Sequence, residues 1–126
     1  MRPRKKILIV DDEIGICEYL SETLTQEGYE TSTAKDGKEG LEQTNRFRPD
    51  LILLDVMMPV MDGWKMLVNL RAEEKTRNIP VVMLTARGDT ESVFKSADEH
   101  VADYFIKPVD MPELLAFLKR YIDLKE

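Results

Sequence analysis

Apolar residues in this chain follow two spacings, and the two alternate. Lys6–Val10 reads as a strand, β-branched and apolar after its first residue. From Ile14 the period turns helical: Ile16, Leu20 and Leu24 fall four apart, Cys17 sits beside them, and Gly28 is a good stop. Residues 29–34 form a short second strand, more polar and so nearer an edge. Residues 35–47 make a weak second helix, because Gly40 lies inside it and Leu41 is its only large apolar residue before Phe47. Residues 51–54 are a third strand, and Asp62 caps a third helix carrying Met66, Leu67 and Leu70. Residues 79–86 read as a fourth strand and residues 90–100 as a fourth helix, with Val93, Phe94 and Ala97 on one face. Residues 103–107 are a fifth strand. Asp110 then caps a fifth helix, on which Leu114, Phe117, Leu118, Tyr121 and Ile122 keep the amphipathic pattern.

Five strands alternating with five helices place the chain in the α/β class, as a (βα)5 doubly wound, five-stranded parallel sheet with helices on both faces. Strands one, three and four lack polar alternation, as expected where both faces are covered. Crossovers are expected to be right-handed, and ligands to bind at the carboxyl ends of the strands. The length of 126 residues suits one domain over 1–126. With 43% hydrophobic and 33% charged residues the chain has a soluble globular balance. Its apolar runs are far shorter than a membrane span, and the basic start runs at once into Asp11 and Asp12, unlike a secretory signal. A lone cysteine excludes an internal disulfide and fits a reducing, cytoplasmic setting. A formal charge of −6 argues against direct nucleic-acid binding.

The chemistry lies at the strand ends. The first strand ends in Asp11, Asp12 and Glu13, the third in Asp55, the fourth in Thr85 and Ala86, and the fifth in Lys107 followed by Pro108. Parallel strands bring all of these to one edge. Carboxylates crowded there repel and raise each other's pKa, and a hard divalent cation removes the conflict; ligands that are all oxygen suit Mg2+. With a lysine and a hydroxyl added, the set suits a phosphoryl group. Each part alone has an ordinary reading: a helix cap, a loop carboxylate, a β-forming threonine, a Lys-Pro turn. The conjunction in strand order is what points to a site.

The segments "ILIVDDE", "PDLILLDVMMPVMDG", "IPVVMLTA" and "ADYFIKP" resemble the receiver domain of two-component response regulators, over essentially the whole chain. The resemblance implies a flavodoxin-like strand order 2-1-3-4-5, which the residues alone do not give. It implies that Asp55 is the phosphoacceptor and that Asp11, Asp12, Asp55 and the backbone carbonyl of Met57 hold Mg2+. Lys107, Thr85 and the backbone N–H of Ala86 would contact phosphoryl oxygens. Thr85 and Tyr104 would form the switch, and Pro108 would follow a cis peptide. The expected donor is a sensor histidine kinase or phosphotransfer protein, and the expected output is a change in the surface of the fourth helix, fifth strand and fifth helix that is read by a downstream protein target.

Some positions depart from that pattern. His100 stands near where relatives carry a helix-ending glycine. Phe117 and Ala102 replace charges often used in dimers, so a monomer or a weak phosphorylation-dependent dimer is expected, acting as a stand-alone receiver. Cys17 fits a buried face, and Trp64 fits either core or site rim. Met57 and Arg87 flank the expected phosphoryl position, and a long apolar Met57 predicts a long-lived phosphorylated state. The main alternative is a receiver fold that no longer reacts and serves only as an interaction module; the full set of five polar residues argues against it. A Mg2+-dependent phosphatase would need an acid at position 57, and a dinucleotide or flavin site a glycine-rich turn where "VDDEIGI" stands.

Overall fold

A computed structural model describes residues 3–86 and 101–123 of the chain. Its strands are β1 (Lys6–Val10), β2 (Glu30–Ala34), β3 (Leu51–Asp55), β4 (Val81–Thr85) and β5 (Asp103–Ile106). They form one parallel sheet in the order β2-β1-β3-β4-β5. The described helices are α1 (Ile14–Gln26), α2 (Gly37–Phe47), α3 (Gly63–Ala72) and α4 (Met111–Leu118). The predicted helix over residues 90–100, with His100 and Arg87, lies outside the described residues.

The unbroken apolar strands are explained by burial on both faces. All of β3 and β4, and β1 from Ile7 onward, are buried. On one face Ile7, Ile9, Leu51, Leu53, Val82 and Leu84 pack with α1 and α4. On the other, Leu8, Val10, Ile52, Leu54, Val81 and Met83 pack with Met66, Leu67 and Leu70 of α3. Each fully buried aliphatic side chain is worth about 1.5–3 kcal/mol, so the three central strands carry most of the stability. The polar β2 is an edge strand, as its composition predicts.

Helix starts follow the sequence closely. The side chains of Asp36, Asp62 and Asp110 accept from the backbone N–H of Glu39, Lys65 and Glu113, at 2.8, 2.8 and 3.1 Å. Gly40, which reads as a weakness of α2, is instead a contact point. A Cβ there would lie 2.7 Å from Met66 Sδ and 3.2 Å from Val10 Cγ1, so its absence lets α2 close onto α3 and β1. After α4 the chain continues in a π-helical turn, Lys119–Asp123. Phe117 is core: it meets Phe105 edge-on at 5.8 Å and stacks on Tyr121 at 5.1 Å. Trp64 is half-buried and packs against the α3 side of the core.

Candidate functional site at the carboxyl edge of the sheet

The sheet register brings the polar strand ends together. Val10 pairs with Leu54, and Leu84 with Asp55, so Asp11 and Asp55 follow adjacent buried rungs. The backbone N–H of Asp11 donates to the Ala34 carbonyl at 3.0 Å, and that of Lys107 to the Thr85 carbonyl at 2.8 Å. Both ladders therefore run one residue past the strands and deliver Asp11 and Lys107 to the same edge. The Lys107–Pro108 peptide is cis.

The ammonium of Lys107 lies between the acids. It stands 2.8 Å from Asp11 Oδ2, 3.2 Å from Asp55 Oδ1 and 3.6 Å from Glu13 Oε1. Asp11 is buried and Asp55 only 5% exposed, whereas Glu13 is exposed. Asp11 Oδ1 accepts from the Glu13 backbone N–H at 2.9 Å. Lys107 is the close partner of Asp11 Oδ2, at 2.8 Å, and that buried oxygen keeps a lone pair for a further partner. Beneath it, Cys17 Sγ donates to the Asp11 carbonyl at 3.3 Å.

Electrostatics follow from this crowding. Burial, then the charge of Asp11, push Asp55 up to about 7 from 3.8, and Lys107 only partly opposes them. Burial disfavours the Lys107 ammonium, but the carboxylates beside it outweigh that and raise its pKa. Burial and the neighbouring Asp11 push the Cys17 thiol up to about 11.

One carboxylate oxygen each from Asp11, Asp12 and Asp55 lies within 4.8 Å of the others. All three donors are hard oxygens, two walls are buried, and Asp12 faces solvent. With the unspent Asp11 Oδ2, this set fits a divalent cation of the Mg2+ kind, and the open side gives it a path in.

Thr85 sits beside this group without joining it. Its Oγ1 is buried and has no hydrogen-bond partner among the described residues. Thr85 pairs with Ile106, and Met83 with Tyr104, so Thr85 and Tyr104 share a sheet face. Tyr104 is 38% exposed and Met57 69% exposed; Ala86 is exposed just past β4. The structure thus gathers Asp11, Asp12, Asp55 and Lys107 tightly and places Thr85 one strand away. Pattern reading misses Gly63. A Cβ there would come within 2.4 Å of the Asp55 carbonyl oxygen. Its only sequence signal is a glycine straight after a capping aspartate.

Comparison with known proteins agrees with this geometry. Residues 7–119 match the family described as response regulator receiver domain. Sporulation initiation phosphotransferase F of Bacillus subtilis is 38% identical over 121 residues, covering 96% of each chain. The DNA-binding dual master transcriptional regulator RpaA of Synechocystis is 40% identical over 111 residues, which is 88% of this chain but 46% of that protein. This chain therefore spans about half the length of RpaA and nearly all of the sporulation protein. The chemotaxis protein CheY4 of Vibrio cholerae superposes with a TM-score of 0.86 at 35% identity, covering 94% of this chain and 98% of that one.

Proposed function

The chain belongs to the response regulator receiver domain family, and from that premise we propose that residues 1–126 form one phosphoryl-accepting switch domain with Asp55 as the acceptor. The observation that carries this reading is the Lys107 ammonium held between the buried carboxylates of Asp11 and Asp55, at the open edge of the sheet. A purely structural edge has no reason to bury two acids against a half-buried lysine and beside a threonine hydroxyl with no partner among the described residues.

In this reading an Asp55 carboxylate oxygen attacks phosphorus on a partner's phosphohistidine. The P–O bond forms as the P–N bond breaks, and the histidine nitrogen leaves with the electron pair. Asp11, Asp12, Asp55 and the Met57 carbonyl would hold Mg2+, which when bound supplies positive charge against the phosphoryl oxygens. Lys107, already 3.2 Å from Asp55, is placed to follow a phosphoryl oxygen and offset the charge that builds there. Asp55 must be ionised to attack; Lys107 lowers the pKa that burial raises, and a bound cation would lower it further. The Ala86 N–H and the Thr85 hydroxyl are the remaining donors. A hydroxyl buried without a partner is costly, and a phosphoryl oxygen would satisfy it. Tyr104, on the same sheet face as Thr85 and part exposed, is the side chain positioned to respond. The donor is a histidine kinase or phosphotransfer protein, the output a downstream protein, and the setting cytoplasmic. Among the described residues no helix is long and apolar enough to cross a membrane.

Intact-mass spectrometry after incubation with acetyl phosphate tests this directly. One added phosphoryl group is expected, dependent on Mg2+ and absent in Asp55→Asn. No adduct under conditions where a known receiver reacts would leave the domain as an interaction module.

A further inference from the structure

The segment from Asp55 to Gly63 is held from an unexpected direction. Val60 has φ +69, a region that a β-branched residue rarely enters. Its side chain is 79% exposed, so no packing offsets that conformation. The Met61 N–H donates to the Pro59 carbonyl at 2.7 Å, closing a γ-turn around Val60. Such a conformation persists only where its surroundings over-determine it.

Those surroundings are two glycines. Gly37, the first residue of α2, donates its N–H to the Met61 carbonyl at 3.1 Å. A Cβ on Gly37 would stand 2.6 Å from that oxygen and 2.9 Å from Met61 Cβ. Gly63 donates to the Val56 carbonyl at 2.9 Å, and a Cβ on it would fall 2.4 Å from the Asp55 oxygen and 3.0 Å from Val56 Cα. The start of α2 is itself fixed. Asp36 accepts from the Glu39 N–H, Glu39 Oε1 accepts from the Lys35 N–H at 3.2 Å, and Ala34 accepts from the Asp11 N–H. One junction therefore touches the backbone of Asp11 and the loop that follows Asp55.

We propose that the β2–α2 junction positions the carboxylate edge: Gly37, acting through Met61 and the stiff turn at Val60, sets where Asp55 and the start of its loop stand. Gly37 and Gly63 are the positioning residues here, and Val60 only transmits a displacement from Met61 toward Asp55; none of them touches a phosphoryl group or cation. The inference rests on the proposed role of Asp55, and it adds a control point on α2 remote from the chemistry.

The test uses Gly37→Ala, Val60→Gly and the double variant. Three readouts are taken: thermal melting, Mg2+ titration followed by Trp64 fluorescence, and the rate of phosphoryl uptake from acetyl phosphate. Gly37→Ala pushes on Met61, and the stiff turn passes the push to Asp55. Mg2+ affinity and uptake are expected to fall at least about fivefold in a protein that still melts cooperatively. Val60→Gly alone stays within about twofold of wild type, because glycine accepts the same φ. In the double variant the softened turn absorbs the push, and both readouts return to within about twofold of wild type. A folded Gly37→Ala with unchanged affinity and uptake overturns the proposal, and so does a double variant no better than Gly37→Ala. Hydrogen exchange on the wild-type chain covers the case in which Gly37→Ala does not fold. Mg2+ is expected to slow exchange of the Gly37 N–H more than that of the Leu8 N–H in the sheet core, which reports global stabilisation alone; equal slowing at the two, or none at Gly37, overturns the proposal as well. A wild type that binds Mg2+ but takes no phosphoryl group refutes the phosphoacceptor reading, while the Mg2+ and exchange readouts still decide the positioning role.

Discussion

Replacing Asp55 by asparagine is expected to stabilise the metal-free domain, and to do so only above mildly acidic pH. Asp55 is pushed up to about 7 in the fold from 3.8, first by burial and then by the charge of Asp11. Below pH 4 the carboxyl is protonated in both folded and unfolded chains and costs nothing. Between about pH 4 and 7 the unfolded chain releases the proton while the folded one holds it, so stability falls as pH rises. Above pH 7 the loss is complete. A shift of about three units corresponds to an upper limit of about 4 kcal/mol. Solvent at the Asp12 side and adjustment of Lys107 reduce this to about 1–3 kcal/mol. For a chain of this length each kcal/mol moves Tm by about 4 °C. Asparagine keeps an oxygen for Lys107 and a near-identical shape. Melts in EDTA at pH 5, 6.5 and 8 should therefore show the variant gaining up to about 10 °C at pH 8 and far less at pH 5. Adding Mg2+ should reverse the order, since the wild type alone keeps its full ligand set. A Tm difference that does not grow with pH, or a variant less stable at pH 8 in EDTA, would refute the reasoning.

Two further outcomes follow from single side chains. Met57 is 69% exposed and stands two residues past the proposed acceptor; if its side chain hinders water there, Met57→Ala should shorten the phosphorylated lifetime. A loss of about three- to tenfold, or up to about 1.4 kcal/mol of barrier, is expected by time-resolved intact mass, and an unchanged lifetime would remove Met57 from that role. Cys17, pushed up to about 11 from 9.0, should resist alkylation in the native state. At pH 8 its thiolate fraction is about a hundredfold below that of an unperturbed thiol, so iodoacetamide labelling should track unfolding, and fast native labelling would contradict the burial argument.

The central strands were legible because a strand buried on both faces has no other way to read than apolar throughout. The site was legible for a topological reason: alternating strands and helices force parallel pairing, which puts every strand end on one edge. Strand order was not legible from the residues. It depends on which of several similar apolar strands become neighbours, and that entered through the resemblance alone. Gly40 shows how a propensity misleads, because the packing of α2 on Met66 rewards the missing Cβ that helix propensity penalises. The π turn after α4 escapes a reading built on i+3 and i+4 spacing. Val60 is the clearest case of all. "PVMDG" holds a proline and a glycine, yet the positive φ falls on the valine, where no residue preference would put it.

The costly features of this domain collect at one place. Asp55 is a carboxylate that resists ionisation, Thr85 has a buried hydroxyl with no partner among the described residues, and Val60 sits at a positive φ. Asp55 and Thr85 are the last residues of β3 and β4, strands buried along their whole length, and Val60 lies in the loop after β3. That arrangement is sustainable because the sheet carries the stability and the edge spends little of the core. It also has a consequence for the switch. A bound cation would relieve the crowded carboxylates, and a phosphoryl oxygen would satisfy Thr85, so each ligand would stabilise the folded state by removing a cost already present. The free energy available to shift the β5 surface is the difference in each ligand's affinity between two arrangements of that surface. An edge rebuilt to be comfortable without ligands, with Asp55→Asn and Thr85→Val together, should melt higher and respond less. Stability and switching are thus opposed at these positions, and they are the positions where the sequence breaks its own apolar pattern.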